Sequence, residues 1–303
     1  MIDLSIIIVN YNSKNYLRGC LDSILNQNHK VSIEIFVSDN NSSDGSIDMI
    51  KSDFPQVTLI ENKDNIGYSA AANRAIRESS GRYVLILNND IEVLKDSLNL
   101  MVDTMVKNPT IGLLGCRLLN SNDTLQQSFG YFNLGFLSEA IQKIFFNRYK
   151  RGNRLVGRYL YKIHKKFKEV DWISGACIMA RRDAMDDVGL MDENYFMFFE
   201  EIDLCNRVRK TGWKIYYTPD AKMIHHGGKS SSAEFDRIMI EYRKSQLYFY
   251  KKHYGVSYMK ILKLYLILKI SFLYIKDTIR GLLTEKDTNK VPGTLISVIW
   301  RYK

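Results

Sequence analysis

Three groups of side chains in this chain have the types and spacing for chemistry. The first is Asn88-Asn89-Asp90, which ends an unbroken apolar run from Tyr83 to Leu87. A lone carboxylate where a buried strand stops can hold a hard cation, and the cation in turn can hold phosphate oxygens. A strand that merely ends in an Asx turn is the plainer alternative. The second group is Glu200, Glu201 and Asp203, directly after Phe196-Met197-Phe198-Phe199. A helix macrodipole accounts for one or two acids in a first turn. Three acids behind an apolar approach repel one another and are partly buried, so the pKa of at least one rises, as a general base needs. Glu200 and Asp203 are three apart and share a face, whereas Glu201 points elsewhere. The third group is His225-His226 before Gly227-Gly228. A histidine pair after a strand can supply a metal ligand, and the glycines allow backbone to approach phosphate closely. A single histidine there would more often be structural.

These groups need elements to position them. Leu4 to Val9, Ile33 to Ser38, Val57 to Ile60 and Tyr83 to Leu87 are apolar runs of strand length. Between them lie Lys14 to Gln27, with Leu17, Leu21, Ile24 and Leu25 at helical spacing and Ser13 as N-cap, a short helix to about Asp53, and Ser69 to Ser79, closed by Gly81. The pattern β-α-β-α-β-α-β predicts a parallel sheet with right-handed crossovers. Polar clusters at Asn10 to Ser13, Asp39 to Asp44 and Asn88 to Asp90 then share one sheet edge, where open α/β sheets bind ligands. The first βα turn lacks G-x-G-x-x-G, and G-x-x-x-x-G-K-[ST] is absent, which excludes a nicotinamide Rossmann site and a P-loop.

Further on, Lys95 to Asn108 is an amphipathic helix ended by Pro109. Ile111 to Leu119, Thr124 to Phe129 and Lys214 to Tyr217 are expected strands, with Pro219-Asp220 a turn. Val170 to Ala180 is a strand pair or a strand bent at Gly175. Glu234 to Lys252 is helical, and Tyr258 to Lys276 is apolar but has no clean face, because Lys269 and Lys276 project opposite Lys260 and Lys263. That tail is expected either to lie on a membrane or to pack on the main domain or a second subunit.

The net charge is +10, which favours an anionic partner. Arg148 to Lys168 holds nine Lys/Arg and no acid, with Tyr149, Tyr159, Tyr161 and Phe167 interleaved. It reads as a solvated face, an anionic lipid contact or a site for a phosphate-bearing acceptor. No nucleic-acid motif accompanies it. Cys20, Cys116, Cys177 and Cys205 form no C-x-x-C and sit among apolar neighbours, so they read as reduced core residues of a cytosolic protein. Met1 to Ser5 enters a strand at once, so no signal peptide is expected, and no apolar stretch is long enough to predict a membrane span.

In their order and spacing, these motifs resemble the family 2 glycosyltransferases of the GT-A fold, most closely the bacterial rhamnosyltransferase-like branch of surface polysaccharide assembly. The resemblance runs over about residues 4 to 230 and rests on Ser5 to Asn12, Ser38 to Gly45, Asn65-Ile66-Gly67-Tyr68 with Asn73, Leu87 to Asp90, Trp172 to Ala176, Glu200 to Arg207, and His225 before Gly227-Gly228. It implies a nucleotide-sugar-binding half over 1–92, an acceptor and catalytic half over 93–230, and a helical extension over 231–303 that associates with membrane or oligomerises. It implies that Asp39 accepts the N3–H of a pyrimidine base. Val9, Asn10 and Tyr11 would line the nucleotide pocket, and Asn41, Asn65, Gly67, Asn73, Asn88 and Asn89 would contact the nucleotide or its phosphates. Asp90 would bind Mn²⁺ or Mg²⁺, with His225 beside it and His226 as fallback. Trp172, Gly175 and Ala176 would face the acceptor sugar. Glu201 stands at the base position, with Glu200 and Asp203 as substitutes. Asn88 replaces the first acid of the family's D-x-D, and Glu201 stands where Asp is usual. Q-x-x-R-W and membrane spans are missing, which favours transfer of a single sugar. The implied partners are a nucleoside-diphosphate sugar, a lipid-linked saccharide and the inner face of the cell membrane, with no nucleic acid. A sugar nucleotidyltransferase and a silent glycan- or membrane-binding module are the alternatives.

Overall fold

The computed structural model describes residues 2–132, 135–227, 232–284 and 291–302. Gly228, the last residue of the His225-His226-Gly227-Gly228 motif, lies outside them.

The first apolar runs fold as expected: β1 (Leu4–Asn10), α1 (Lys14–Leu25), β2 (Ile33–Asp39), α2 (Ser46–Asp53), β3 (Thr58–Glu61), α3 (Tyr68–Glu78) and β4 (Tyr83–Asn88). Every residue of β1 is buried, and Leu17, Leu21 and Ile24 of α1 pack into the same core cluster as Leu4, Ile6 and Ile8. There follow β5 (Ile91–Val93), α4 (Ser97–Lys107), β6 (Ile111–Leu119), β7 (Phe129–Gly130), α5 (Phe136–Lys150), α6 (Arg154–Ile163), β8 (Lys168–Glu169), β9 (Trp172–Ile173), β10 (Cys177–Arg181), α7 (Arg182–Val188), α8 (Glu200–Lys210), β11 (Lys214–His225), α9 (Ser232–Thr284) and α10 (Val291–Arg301).

The described strands make a nine-stranded sheet in the order β3-β2-β1-β4-β10-β6-β11-β5, with β8 on β11, and a small sheet of β7 and β9. β3, β2, β1 and β4 are mutually parallel, β10 runs antiparallel to both β4 and β6, and β6 is parallel to β11. The α/β class and mixed, mostly parallel sheet match the expectation. All four cysteines are free and buried.

Three local expectations change. Ser13 makes no side-chain cap; the first amide of α1 donates instead to Asp44 Oδ2 at 2.7 Å. Thr124 to Phe129 is not a strand: apart from a bridge between Leu119 and Leu125, only Phe129–Gly130 pairs, with β9. Its start turns back at Asp123 (φ 59°), where Asn120 Nδ2 donates to Thr124 Oγ1 at 2.8 Å. Pro219-Asp220 is not the end of a strand but an irregularity within β11, whose pairing with β6 lapses between Tyr217 and Lys222. Proline has no N–H to give the ladder, yet an extended chain continues past it.

The chain divides into two compact units, Met1–Asn194 with Glu200–Gly228, and Tyr195–Phe199 with Lys229–Lys303. In the second, α9 breaks at Gly255 (φ 88°). Met259, Leu262 and Leu266 of α9 are buried, as are Leu295 and Ile299 of α10, while Ile261, Leu264, Leu268, Phe272 and Ile275 are exposed. Apolar residues therefore occupy two sides of α9, which is why its sequence shows no clean face. Among the described residues no helix is long and apolar enough to cross a membrane.

Candidate active site

The site grows from the carboxyl ends of β2, β1 and β4, which are neighbours. Register pairs Asn10 with Asp39 and Val9 with Asn88. The polar residues that stop these strands therefore meet. Asn10 Nδ2 donates to Asp39 Oδ2 at 2.7 Å, Asn89 Nδ2 donates to Asn10 Oδ1 at 2.9 Å, and the Ser42 amide donates to Asp39 Oδ1 at 2.7 Å. Asn10 and Asp39 are fully buried, while Tyr11 and Asn41 on the following loops are exposed, Asn41 with a left-handed backbone at φ 64°. Each Asp39 oxygen keeps a second lone-pair site beyond these bonds.

α3 opens on the same edge. Its first turn needs φ 87° at Gly67, a left-handed value that favours glycine. Asn65 Oδ1 accepts from the Gly67 amide at 3.2 Å, and Asn40 Nδ2 donates to Gly67 O at 3.2 Å. Asn73 behaves differently from the expectation. It is buried, donates to Met191 O at 2.8 Å and Glu193 Oε1 at 2.9 Å, and accepts from the Met191 amide at 3.0 Å. Its carboxamide ties α3 to residues 191–193 and does not join the other polar residues of the edge.

Asp90 and His225 do come together. Asp90 Oδ1 lies 3.2 Å from His225 Nε2, because β11 pairs with β5 and sets His225 opposite Ile91. Gln126 fixes the imidazole. Its Nε2 donates to His225 O at 2.7 Å, which turns its Oε1 toward His225 Nδ1 at 2.8 Å. Nδ1 is then the protonated nitrogen of the neutral ring, and Nε2 presents a lone pair toward Asp90. A carboxylate and an imidazole lone pair facing each other at this distance repel unless a proton or a cation lies between them. The pair thus fits a divalent metal as two protein ligands, the rest coming from substrate phosphate and water. Among the described residues no group of three or more His, Cys, Asp and Glu could hold a metal. The His226 ring turns away, to Ser121 Oγ at 2.9 Å and Glu92 Oε2 at 3.5 Å. It lines a cavity of about 850 Å³ between α1 and β5 that includes neither Asp90 nor the acids of α8.

The acids of α8 divide by environment. Asp203 is fully buried and bonded to Arg207 Nε at 2.7 Å, and Arg207 also donates to Val188 O and Leu190 O at 2.7 Å each. That is an anchor for the loop before α8. Glu200 is buried, and its Oε2 accepts no hydrogen bond. Burial, and then repulsion from the Glu201 carboxylate, raise its pKa well above the ordinary value. Glu201 lies along Gly175: a Cβ added there would meet Glu201 Cβ at 3.3 Å and its Cγ and Cδ at 3.4 Å. Two successive left-handed residues, Phe198 (φ 69°) and Phe199 (φ 67°), precede the helix, a strained entry for bulky side chains. Trp172 packs on Gly130, and Ala176 O accepts from the Asn88 amide at 3.1 Å, tying the β9–β10 loop to the end of β4.

Tyr68 joins the two halves. Its hydroxyl donates to Asn88 Oδ1 at 3.1 Å. Burial raises its pKa well above the ordinary value, and the charges of Glu200, Glu201 and Asp90 raise it further. Glu200 and Glu201 of α8 and Asp90 just past β4 are therefore all near enough for their charges to act on this one phenol. Neither Tyr68 nor Gln126 was assigned a role from the sequence. Tyr68 stood inside a recognised motif, whereas Gln126, 99 residues from His225, carried no signal.

Residues 5–189 match the model of Glycosyl transferase family 2. The N-acetylglucosaminyl-diphospho-decaprenol L-rhamnosyltransferase of Mycobacterium tuberculosis is 24% identical over 264 residues, 83% of this chain and 85% of that protein. The O-antigen biosynthesis protein RfbC of Myxococcus xanthus is 25% identical over 240 residues, 76% of this chain and 18% of that protein. Among solved structures, the mannosyltransferase PcManGT of Pyrobaculum calidifontis, in complex with GDP-Man and Mn²⁺, superposes with a TM-score of 0.58 at 14% identity, over 98% of this chain and 84% of that one. The fold expected from the motifs, GT-A with a helical extension, is the fold observed. The chain is a glycosyltransferase, and it belongs to glycosyltransferase family 2.

Proposed function

We propose that this enzyme moves one sugar from a nucleoside-diphosphate sugar to a hydroxyl of a lipid-linked saccharide, with inversion at the anomeric carbon, in bacterial surface polysaccharide assembly. The observation that carries this is the Tyr68 phenol, which feels Asp90 and the Glu200–Glu201 pair at once. That supports a metal-side carboxylate and a candidate base serving one site.

In this mechanism Asp39, Asn10 and the loop residues Tyr11, Asn41 and Asn65 receive the nucleotide. A Mn²⁺ or Mg²⁺ ion held by Asp90 and His225 would supply positive charge to the leaving diphosphate. Burial and its neighbour favour the protonated form of Glu200, which leaves Glu201 to act as base. The acceptor oxygen bonds to the anomeric carbon, its proton passes to Glu201, and the bond from that carbon to the diphosphate breaks. Gly175 leaves room for Glu201, and Trp172 and Ala176 shape the acceptor side. dTDP-rhamnose is the first donor to try, on the precedent of the mycobacterial relative's name, and UDP-sugars are next. The acceptor's lipid places the enzyme at the cytoplasmic face of the cell membrane. The test is a donor panel with Mn²⁺ or Mg²⁺ and a lipid-linked acceptor extract. Nucleoside diphosphate release with a product of inverted anomeric configuration is expected; pyrophosphate release, or retention, refutes the reading.

A further inference from the structure

On α5, Leu137, Ile141, Ile144 and Phe145 recur at helical spacing and are between 39% and 52% exposed. On α6, Leu155 is 77% and Tyr159 52% exposed, although this helix buries Leu160 on its other side. The Phe145 and Tyr159 rings lie 6.0 Å apart, so the two stripes are one patch. Exposed cations adjoin these stripes along the helices: Arg148 three residues past Phe145, Arg154 and Arg158 beside Leu155 and Tyr159, and Lys162 three past Tyr159. From Phe136 to Lys168 the sequence holds ten Lys/Arg against one acid, Glu139.

We propose that the α5–α6 hairpin docks this enzyme on an anionic lipid leaflet, its apolar stripe entering the headgroup boundary while the adjoining cations pair with lipid phosphates. An apolar patch with cations alongside it matches that surface in both respects. A second copy of the chain does not fit, since a twofold contact would press like charges together. Nucleic acid would satisfy the cations and leave the stripe in water. The purpose of the contact rests on the lipid-linked acceptor proposed above, but lipid binding is measured without any sugar nucleotide.

The experiment is flotation of the full-length protein with phosphatidylcholine vesicles, with and without phosphatidylglycerol. The protein is expected to float only with the anionic vesicles, and less at high salt. Ile141→Asp with Ile144→Asp, and separately Arg154→Glu with Arg158→Glu, should each weaken binding at least about tenfold, with melting temperatures unchanged. Leu155→Ser offers a milder variant that keeps the fold. Leu264→Asp with Leu268→Asp on the exposed stripe of α9 should bind as wild type does, as should Glu201→Gln. Wild type that ignores anionic vesicles, hairpin variants that bind normally, loss confined to the α9 variant, or a hairpin variant that changes oligomeric state would each overturn the proposal.

Discussion

Glu200 and Glu201 are adjacent in the chain and are proposed to play opposite parts. Glu200 is buried, and burial and then its neighbour push its carboxyl well above the ordinary range, which favours its protonated, neutral form. Replacing Glu201 by Gln should therefore lower transfer by about 10²–10⁴-fold, the usual worth of a general base, while donor binding survives in a fluorescence titration. Glu200→Gln mimics the protonated form that burial favours and should retain transfer within a few-fold. The same substitution changes pH-dependent stability. The folded carboxyl holds its proton above the ordinary value of 4.5, where the unfolded chain releases it. Wild-type stability is then highest below that value and declines as pH rises toward the raised folded pKa. The Gln variant lacks this decline, so its melting temperature should gain on wild type between pH 5 and 8; parallel curves would show that Glu200 is ionised in the folded state. At the other side of the site, Gln126 holds the His225 tautomer. Gln126→Leu should weaken Mn²⁺-dependent donor binding by about 10–100-fold, and Asp90→Ala by more. Calorimetry with the donor checks both, and unchanged affinity would remove the pair's metal role.

At the scale of elements, the β9–β10 loop faces α8, and Gly175 is where the contact is closest. Adding a methyl there meets three carbons of Glu201 at 3.3–3.4 Å. Gly175→Ala should shift Glu201 by a few tenths of an ångström. Positioning errors of that kind lower kcat more than they alter KM for the donor, so about a tenfold fall in kcat with little loss of thermal stability is expected. An unchanged kcat would place the acceptor hydroxyl elsewhere. The elements that carry the donor side were legible in the sequence because their signals are local. β1, β2 and β4 are apolar runs that stop at polar clusters, and the helices between them repeat at helical spacing. The acceptor side was less so. The lengths of β5 (Ile91–Val93) and β9 (Trp172–Ile173) are too short to show a period, and pairing alone makes them strands. Gln126 reaches His225 only through tertiary structure. Asp203 looked like a site residue by type and Asn73 by the family resemblance, while their partners, Arg207 and the 191–193 segment, hold each as an anchor.

For the molecule as a whole, the most consequential placement is that of β10, which no local pattern predicts. It enters antiparallel between β4 and β6, with Cys177 opposite Leu87 near the site and Arg181 opposite Tyr83 at the far edge. One end of this strand thus sets Gly175 beside Glu201 and Ala176 beside Asn88, at the proposed site. The other end carries a buried arginine that meets carbonyls and not a carboxylate. Arg181 Nε donates to Ile111 O at 3.1 Å, and its Nη2 donates to Met105 O at 2.7 Å and Asn108 O at 3.3 Å. Two of these carbonyls close α4, whose negative dipole end favours a cation, and the guanidinium also lies over the Tyr83 ring at 5.3 Å and the Trp213 ring at 6.0 Å. A planar fork can bond several carbonyls at once where an ammonium bonds fewer. Arg181→Met should therefore cost about 2–4 kcal/mol by leaving buried acceptors unpaired, and Arg181→Lys should recover only part of it, as read from urea midpoints. Four residues of strand, 177–180, separate the latch from Ala176. The folded fraction of either variant should accordingly keep its donor KM and its kcat within about twofold, since the spacing of about 3.3 Å per residue puts the latch well away from the reacting atoms. A fall in kcat beyond the unfolded fraction would mean that the far edge of the sheet sets the geometry of Glu201, and that β10 transmits strain along its length.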